Sequence, residues 1–169
     1  AGNDLEFIEF KNTGAAPLNL GTLTFTAGLN FTFTNATRLQ PGQFFVLARS
    51  AAAFAAKYPG VAMNGVFSGQ LDNAGETLRL STAFGNTVLS VAYNDRTPWP
   101  LAPDGYGFSA VPRVSGANPN SDNGAHWRAS ANAGGSPGAD DPQPAVLPVF
   151  VNEALTHTDL PAVDWIELY

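Results

Sequence analysis

Short apolar runs with a period of two, separated by turn residues, constrain the fold of this chain more than any other feature. Leu23 and Phe25 alternate with threonines, and so do Phe31 and Phe33 a few residues later. This spacing places the apolar side chains on one face of a strand and the threonines on the other. The Ala-Gly-Leu sequence at 27–29 predicts a tight connection, so the two runs are expected to form a hairpin.

Runs of this kind recur at a spacing of about ten residues, which predicts roughly eight or nine strands. Residues 44–48 are apolar on both faces, as expected of a central strand that is covered on two sides. One helix is predicted, because Ser50 can cap the alanine-rich segment 51–58 and Pro59 with Gly60 stops it. The predicted fold class is all-β, an antiparallel sandwich or barrel with one short connector helix near residues 51–58. Further strands are predicted at residues 5–11, 66–67, 77–80, 86–93, 106–111 and 149–155.

The two ends of the chain carry nearly the same motif. Residues 6–10 read Glu-Phe-Ile-Glu-Phe, and residues 164–168 read Asp-Trp-Ile-Glu-Leu. The offset is 164 − 6 = 158 residues, about one domain length. The repeat indicates that the chain runs from the first strand motif of one module to the same motif of the next.

Charge is distributed unevenly along the chain. Residues 1–138 carry eight basic and eight acidic groups, whereas residues 139–169 carry six acids and no Lys or Arg, giving the net charge of −6. Nucleic-acid binders present a basic surface, so we predict no nucleic-acid partner. No apolar run approaches the ~20 residues of a membrane span, and no membrane insertion is expected. The opening Ala-Gly-Asn at 1–3 looks like a cut or mature end rather than a signal peptide.

Few residues are candidates for chemistry. The absence of cysteine excludes disulfides, thiolate metal sites and a cysteine nucleophile. His126 and His157 lack the ligand spacing of a zinc site, apart from the proximity of Asp159 to His157, and surface positions are favoured for both. Residues 118–124 faintly resemble a calcium loop, but they contain one carboxylate and the closing Glu is missing. With no nucleophile elbow or phosphate-binding loop either, we predict no catalytic residue, no metal and no cofactor.

Two groups of side chains leave functional alternatives open. Trp99, between two prolines, and Trp127 could stack on sugar rings as ligand contacts, or they could close the ends of the sandwich, which is favoured. Glu9, Glu153 and Glu167 are acids inside apolar strands. Paired carboxylates serve in catalysis or bind calcium, but such residues more often point outward or accept hydrogen bonds from the backbone, and we favour that interpretation.

Seven short motifs in a fixed order give the chain a family likeness. They are Glu-Phe-Ile-Glu-Phe-Lys-Asn at 6–12, Pro-Leu-Asn-Leu-Gly at 17–21, Leu-Gln-Pro-Gly-Gln-Phe at 39–44, the segment 71–80, Asp-Arg-Thr-Pro-Trp-Pro at 95–100, Trp-Arg-Ala-Ser at 127–130 and Gly-Gly-Ser-Pro-Gly at 134–138. Together they resemble the lamin tail domain, an immunoglobulin-like β-sandwich, over residues 6 to 138. Val-Asn-Glu-Ala at 151–154 resembles the strand that opens this domain.

The resemblance implies a non-catalytic interaction or adhesion module of a larger secreted or cell-surface protein of the bacterial type. Animal members end nuclear filament proteins, but no filament-forming heptads occur here, so an extracellular or cell-surface location is favoured. Its partners would be other proteins or neighbouring copies of the same module, including a homodimer formed by strand exchange. The alternative is a carbohydrate-binding module that uses exposed Trp99 and Trp127. An enzyme is the weakest hypothesis.

The resemblance also divides the chain. Residues 1–139 would form a lamin-tail-like sandwich that lacks its opening strand, residues 140–148 a stiff linker rich in Pro and Asp, and residues 149–169 the opening strands of a following repeat. A vacant strand position leaves unpaired N–H and C=O groups, which invite strand addition. We therefore expect the strand at 149–155 to fill it, in its own sandwich or in that of a neighbour.

Overall fold

The computed structural model describes residues 3–114, 116, 120–144, 148–156, 159 and 161–169. Within this part of the chain it contains one α-helix, α1 (Ala51–Lys57), two 3₁₀ turns (Asn3–Leu5 and Gly124–His126) and fourteen short strands. The strands are β1 (Phe7–Lys11), β2 (Leu18–Asn19), β3 (Thr24–Ala27), β4 (Leu29–Asn30), β5 (Arg38–Leu39), β6 (Phe44–Ala48), β7 (Gly65–Val66), β8 (Ser68–Gly69), β9 (Thr77–Ser81), β10 (Thr87–Ala92), β11 (Ala110–Pro112), β12 (Trp127–Ala129), β13 (Val151–Leu155) and β14 (Trp165–Leu168).

Two three-stranded sheets form the body of the fold. In the first, β6 lies between β1, to which it is antiparallel, and β7, to which it is parallel. In the second, β9 lies between β10 and β3 and is antiparallel to both. Two-stranded antiparallel pairs are formed by β2 with β5, β4 with β8, β11 with β12 and β13 with β14.

One apolar cluster joins the two sheets. Leu47 of the first sheet packs with Phe25 and Leu80 of the second, and Ile8 and Phe10 of β1 pack against the same cluster. Because side chains alternate across a strand, only one face of each sheet can reach this layer. Two sheets that face each other across a shared core form a sandwich, and the predicted all-β, immunoglobulin-like class is confirmed.

The outer face of the first sheet is covered by α1. The side chain of Ser50 accepts a hydrogen bond from the Ala53 N–H at 3.3 Å and caps the helix, as its sequence position predicts. The rings of Phe54 and Tyr58 lie on one face of the helix, 4.8 Å apart, and Phe7 of β1 meets both edge-on. The predicted connector helix is therefore present, and it forms a second, smaller core with the outer side of β6.

The hairpin predicted between residues 22 and 34 is present. Phe25 N–H donates to the carbonyl of Phe31 at 2.9 Å, and Phe33 N–H donates to the carbonyl of Leu23 at 2.8 Å. Leu23, Phe25 and Phe33 are buried, while Thr24 lies on the opposite face of the hairpin. The alternation in the sequence thus predicts the side chains that enter the core.

The prediction of a strand at 106–111 is wrong in its bounds, since β11 begins only at Ala110. Gly105 and Gly107 have φ values of 80° and 78°, in the left-handed region, which interrupts an extended backbone. The partner of β11 is β12, at Trp127–Ala129, a strand that the sequence did not predict.

Candidate interaction surface

The two tryptophans singled out in the sequence stack on each other. Their ring centroids are 5.6 Å apart and the planes are inclined by 30°. Trp99 is buried, with 8% exposure, and the half-buried Trp127 donates its indole N–H to the carbonyl of Ser121 at 2.9 Å. The exposed indole that the carbohydrate-binding alternative requires is therefore not found at Trp99. The arrangement fits the other interpretation, in which the two rings close one part of the sandwich.

Gly124 makes this stack possible. A Cβ atom at position 124 would lie 2.6 Å from the backbone nitrogen of Trp99 and 2.7 Å from its ring. Glycine is required at position 124 because any side chain would keep the 3₁₀ turn from approaching the indole this closely. The requirement is one of space and not of backbone conformation, since the φ of Gly124 is not positive. Asn123 caps the same turn, since its side chain accepts a hydrogen bond from the Ala125 N–H at 3.1 Å.

The segment 134–141, called the closing segment below, lies along the outer side of β1 and α1. Tyr58 donates its hydroxyl to the carbonyl of Gly134 at 2.6 Å. Gly138 N–H donates to the carboxylate of Glu9 at 2.5 Å, and the Lys11 ammonium lies 2.5 Å from Asp140. The closing segment is thereby fixed to β1 through Glu9 and Lys11, whose side chains are neighbours on the outer face of the strand.

Burial raises the pKa of Glu9 from 4.5 to about 7. The N–H of Gly138 favours the carboxylate and acts against this shift, the charge of Asp140 adds to it, and the charge of Lys11 acts against it. As favoured from the sequence, Glu9 is an acid in an apolar strand that accepts a backbone hydrogen bond. It has no second carboxylate opposite it on β6, where its partner is Val46.

Asp141 forms a buried ion pair with Arg128 of β12. The two side chains are 7% and 10% exposed, and the guanidinium lies 2.5 Å from the carboxylate. Burial opposes the ionisation of Asp141, but hydrogen bonds from Arg128, Ser136 and the Ala131 N–H outweigh it and lower the pKa of the carboxyl below its usual value. The contacts of the sandwich thus continue past residue 139, into the segment predicted as a linker.

The candidate metal-binding residues make ordinary structural contacts. Asp122, the carboxylate of the calcium-like loop, accepts a hydrogen bond from the Ala92 N–H at 2.7 Å. His126 ends the 3₁₀ turn and lies 3.4 Å from the Asn123 side chain, whereas His157, Asn118 and Pro119 lie outside the described residues. Across the part of the chain that the structure describes, no group of three or more His, Asp or Glu side chains could hold a metal ion.

No described helix is long and apolar enough to cross a membrane. A surface groove lies between β6, the segment 60–64 and the closing segment. The described residues that line it include no acid, base or nucleophilic side chain.

The hairpin formed by β13 and β14, called the terminal hairpin below, exposes apolar side chains on both of its faces. Ile166 and Leu168 on one face are 65% and 66% exposed, and Trp165 with Leu155 on the other are 41% and 43% exposed. Glu153 and Glu167 are directly opposite each other across the two strands, on the face of Trp165. Among the described residues, β13 and β14 pair only with each other.

An immunoglobulin-like β-sandwich with an exposed apolar hairpin is the class of protein that these observations define. Residues 1–95 match the model of the Lamin Tail Domain family, which is more than half of the 169 residues. The chain belongs to the lamin tail domain family. The motifs at 127–130 and 134–138 lie beyond the matched residues. No curated protein matches the chain at a significant level.

Membership indicates a non-catalytic protein-interaction module, since domains of this family are generally not enzymes. Sequence reasoning found the tryptophans and the strand acids but missed the buried Arg128–Asp141 pair. The only signal of that pair in the sequence is a doublet of acids before Pro142, which by composition predicts a linker.

Proposed function

We propose that this lamin tail domain is an interaction and adhesion module of a larger secreted or cell-surface protein of the bacterial type, and that it mediates protein contacts or assembly. Its partners are proteins or neighbouring copies of the same module. Nucleic acid and membrane insertion have no part in this function, and no cofactor is needed.

The observation that carries the proposal is the exposure of the terminal hairpin. Phe150 and Tyr169, which extend the two strands, are 58% and 75% exposed, so the apolar surface runs along the whole hairpin. An isolated two-stranded hairpin is at best marginally stable in water. Contiguous exposed apolar surface of this kind marks sites of protein contact in folded proteins.

Charge supports a protein partner of a particular kind. Asp140 and Asp141 pair with Lys11 and Arg128 of the sandwich, but residues 149–169 carry four further acids and no Lys or Arg, so the terminal hairpin is a negatively charged segment. A complementary partner surface is apolar with a basic rim, and association with it slows as salt screens the charges.

The test uses Ile166→Ser with Leu168→Ser in the full chain. Immobilised chain is exposed to the extracellular and surface fraction of the source organism, and each retained protein is then purified and titrated against the chain. We expect the double variant to lose about tenfold or more in affinity, because two exposed apolar anchors are removed.

Phe84→Ser with Leu101→Ser is the matched control. These side chains are 94% and 56% exposed and lie outside the terminal hairpin, so the control should bind like the wild type. Equal binding by all three proteins would overturn the assignment of the hairpin as the contact surface. Detection of the parent protein only inside the cells would overturn the extracellular setting.

The carbohydrate-binding alternative is tested separately. A glycan array probed with the wild-type chain, Trp99→Ala and Trp127→Ala would reveal it as a signal that either substitution removes. We expect no signal, because stacking on Trp127 buries Trp99.

A further inference from the structure

Within the described part of the chain, strand β1 has one edge without a strand partner. It is the outer strand of its sheet there and pairs with β6 only. Arg49 N–H donates to the carbonyl of Glu6, and Asn12 N–H donates to the carbonyl of Gln43, so the even-numbered residues of this segment direct their backbone groups toward β6. Because the direction alternates in an antiparallel pair, the N–H and C=O groups of residues 7, 9 and 11 point the other way. Among the described residues no backbone group pairs with them.

The terminal hairpin shows which strand fits beside a sequence like that of β1. Strand β14 repeats β1 residue for residue in type, with Trp165, Ile166 and Glu167 at the positions of Phe7, Ile8 and Glu9. Its partner in the hairpin is β13, which pairs Leu155 with Trp165, Ala154 with Ile166 and Glu153 with Glu167. The hairpin therefore supplies both a candidate strand and a register for the open edge of β1.

We propose that the open edge of β1 binds strand β13 of a second copy of this chain, with β1 replacing β14 as the partner of β13. This inference rests on the proposed function in one respect, that the partner is a neighbouring copy, and it assigns the contact to the edge of β13 rather than to the faces of the intact hairpin. The register carried over from the hairpin pairs Phe7 with Leu155, Ile8 with Ala154 and Glu9 with Glu153.

The side chains at Phe7 and Ile8 suit this register, and the Glu9–Glu153 pair would replace the like-charge Glu153–Glu167 pair that the hairpin already contains. Ile8 packs against the main core, so Ala154 would extend that core as a small apolar neighbour. Phe7 packs on Phe54 and Tyr58 of α1, and Leu155, which is 43% exposed in the hairpin, would be covered beside it. Backbone hydrogen bonds along the strand supply affinity, as in other cases of strand addition. Little stability is lost in releasing β14, because a lone hairpin is marginal.

The linker favours a second copy over the same chain. Asp140 is bound to Lys11 at the end of β1, and Val151 of an antiparallel β13 would have to lie beside that same end. Its own chain would therefore need a tight closed loop of 151 − 141 = 10 residues containing Pro142, Pro144 and Pro148. Proline-rich segments favour an extended, semi-rigid backbone at about 3.1 Å per residue, which disfavours so tight a closure. Reciprocal exchange between two chains gives a closed twofold dimer.

The absence of cysteine makes a disulfide test clean. Chains carrying Glu9→Cys and chains carrying Glu153→Cys are mixed in equal amounts and oxidised gently. Directly opposite residues in an antiparallel pair are about 4.5–5.5 Å apart at Cα, within disulfide range. We expect the mixed dimer to form at least about tenfold faster than with the matched control pair, Lys11→Cys and Glu153→Cys, which is two residues out of register.

Two further measurements keep the test independent of these variants. Sedimentation of the wild-type chain at rising micromolar concentrations should show a monomer–dimer equilibrium, and Glu153→Pro, which removes an N–H from β13, should stay monomeric. Three outcomes would each overturn the inference. They are equal cross-linking in both mixtures, a wild-type chain that stays monomeric, and an internal disulfide in monomers of the double variant Glu9→Cys/Glu153→Cys. If the chain is monomeric while Ile166→Ser with Leu168→Ser still weakens binding to other proteins, this inference fails and the proposed function stands.

Discussion

Glu9 is a residue at which burial and ionisation conflict. Its folded-state pKa of about 7 lies above the ordinary value of 4.5, so between these pH values the folded chain binds more protons than the unfolded chain. Stability is therefore lost as pH rises through this window, and the full penalty is present above pH 7.

Glu9→Gln should remove this penalty, because its amide carbonyl can still accept the Gly138 N–H. We expect the variant to be more stable than wild type by roughly 1–2 kcal/mol at pH 8, after allowing for the partial exposure of the site, and nearly equal to it at pH 4. Urea denaturation at pH 4, 6 and 8 measures the difference. Glu153→Gln, at an exposed position, is the control, and a constant difference between wild type and Glu9→Gln across this range would contradict the prediction.

At this scale the sequence predicts what kind of side chain occupies a position better than what surrounds it. The burial of Trp99 follows from its size and apolar character, and the structure stacks its ring on Trp127. The sequence predicts a linker at Asp141, because a doublet of acids beside prolines is typical of solvated segments. Its partner Arg128 is thirteen residues away, and nothing local in the sequence indicates that the two are buried together.

The 3₁₀ turn Gly124–His126 depends on one missing side chain. In Gly124→Ala the new Cβ would meet the backbone nitrogen and ring of Trp99 at 2.6 and 2.7 Å, so the turn or the indole must move. We expect a loss of about 1–3 kcal/mol in stability, as for other overpacked sites, measured by urea denaturation. A shift in the near-ultraviolet circular dichroism should accompany it, since the stacked indoles are displaced.

Gly116→Ala is the matched control for this substitution. A Cβ there meets no atom of the described residues within 4 Å, and the φ of Gly116 is not positive. Its stability should remain within about 0.5 kcal/mol of wild type. Equal losses in the two variants would show that the contact with Trp99 is not the cause.

Elements with strong local signals are those that the sequence predicts well. Helix α1 has a capping serine, a run of alanines and a Pro-Gly stop, and β6 is a continuous apolar run. Strand β12 has only three residues within a segment rich in Gly, Ser and Asn, and it exists because it pairs with β11. Such a strand is determined by a distant partner, which no local period can indicate.

For the whole molecule, the question is where the sandwich ends. A chain cut after Ala139 loses Asp140 and Asp141 and leaves Arg128 buried without its carboxylate. Breaking a buried ion pair costs about 3–5 kcal/mol, so we expect its melting temperature to lie about 10 °C below that of a chain cut after Pro144. Thermal unfolding followed by circular dichroism measures this.

The control for that comparison is Asp140→Asn in the chain cut after Pro144. It removes the ion pair with Lys11, in which the carboxylate is 67% exposed, and also the repulsion between Asp140 and Glu9, so it should cost at most about 1 kcal/mol. If the chain cut after Ala139 were as stable as the longer one, residues 140–141 would belong to the linker, as the sequence predicts.

The sandwich as a whole could be predicted from the number of strands, their turns and the order of the motifs. The pairing of residues 149–155 could not, because an apolar strand fits several edges and the sequence does not rank them. In the structure this segment pairs with β14, and its pairing with the edge of β1 stays a prediction.

The Arg128–Asp141 pair also determines how mechanical load would enter the domain. A pull on the linker acts first on Asp141 and Pro142, which Arg128 holds by hydrogen bonds, and so on the three-residue strand β12. Once this attachment yields, the tension passes to Asp140 and Lys11 and thereby to β1, the outer strand of the first sheet. The domain thus meets a stretching force at two ion pairs in succession, and the first of them transmits the load to β12, outside the two main sheets.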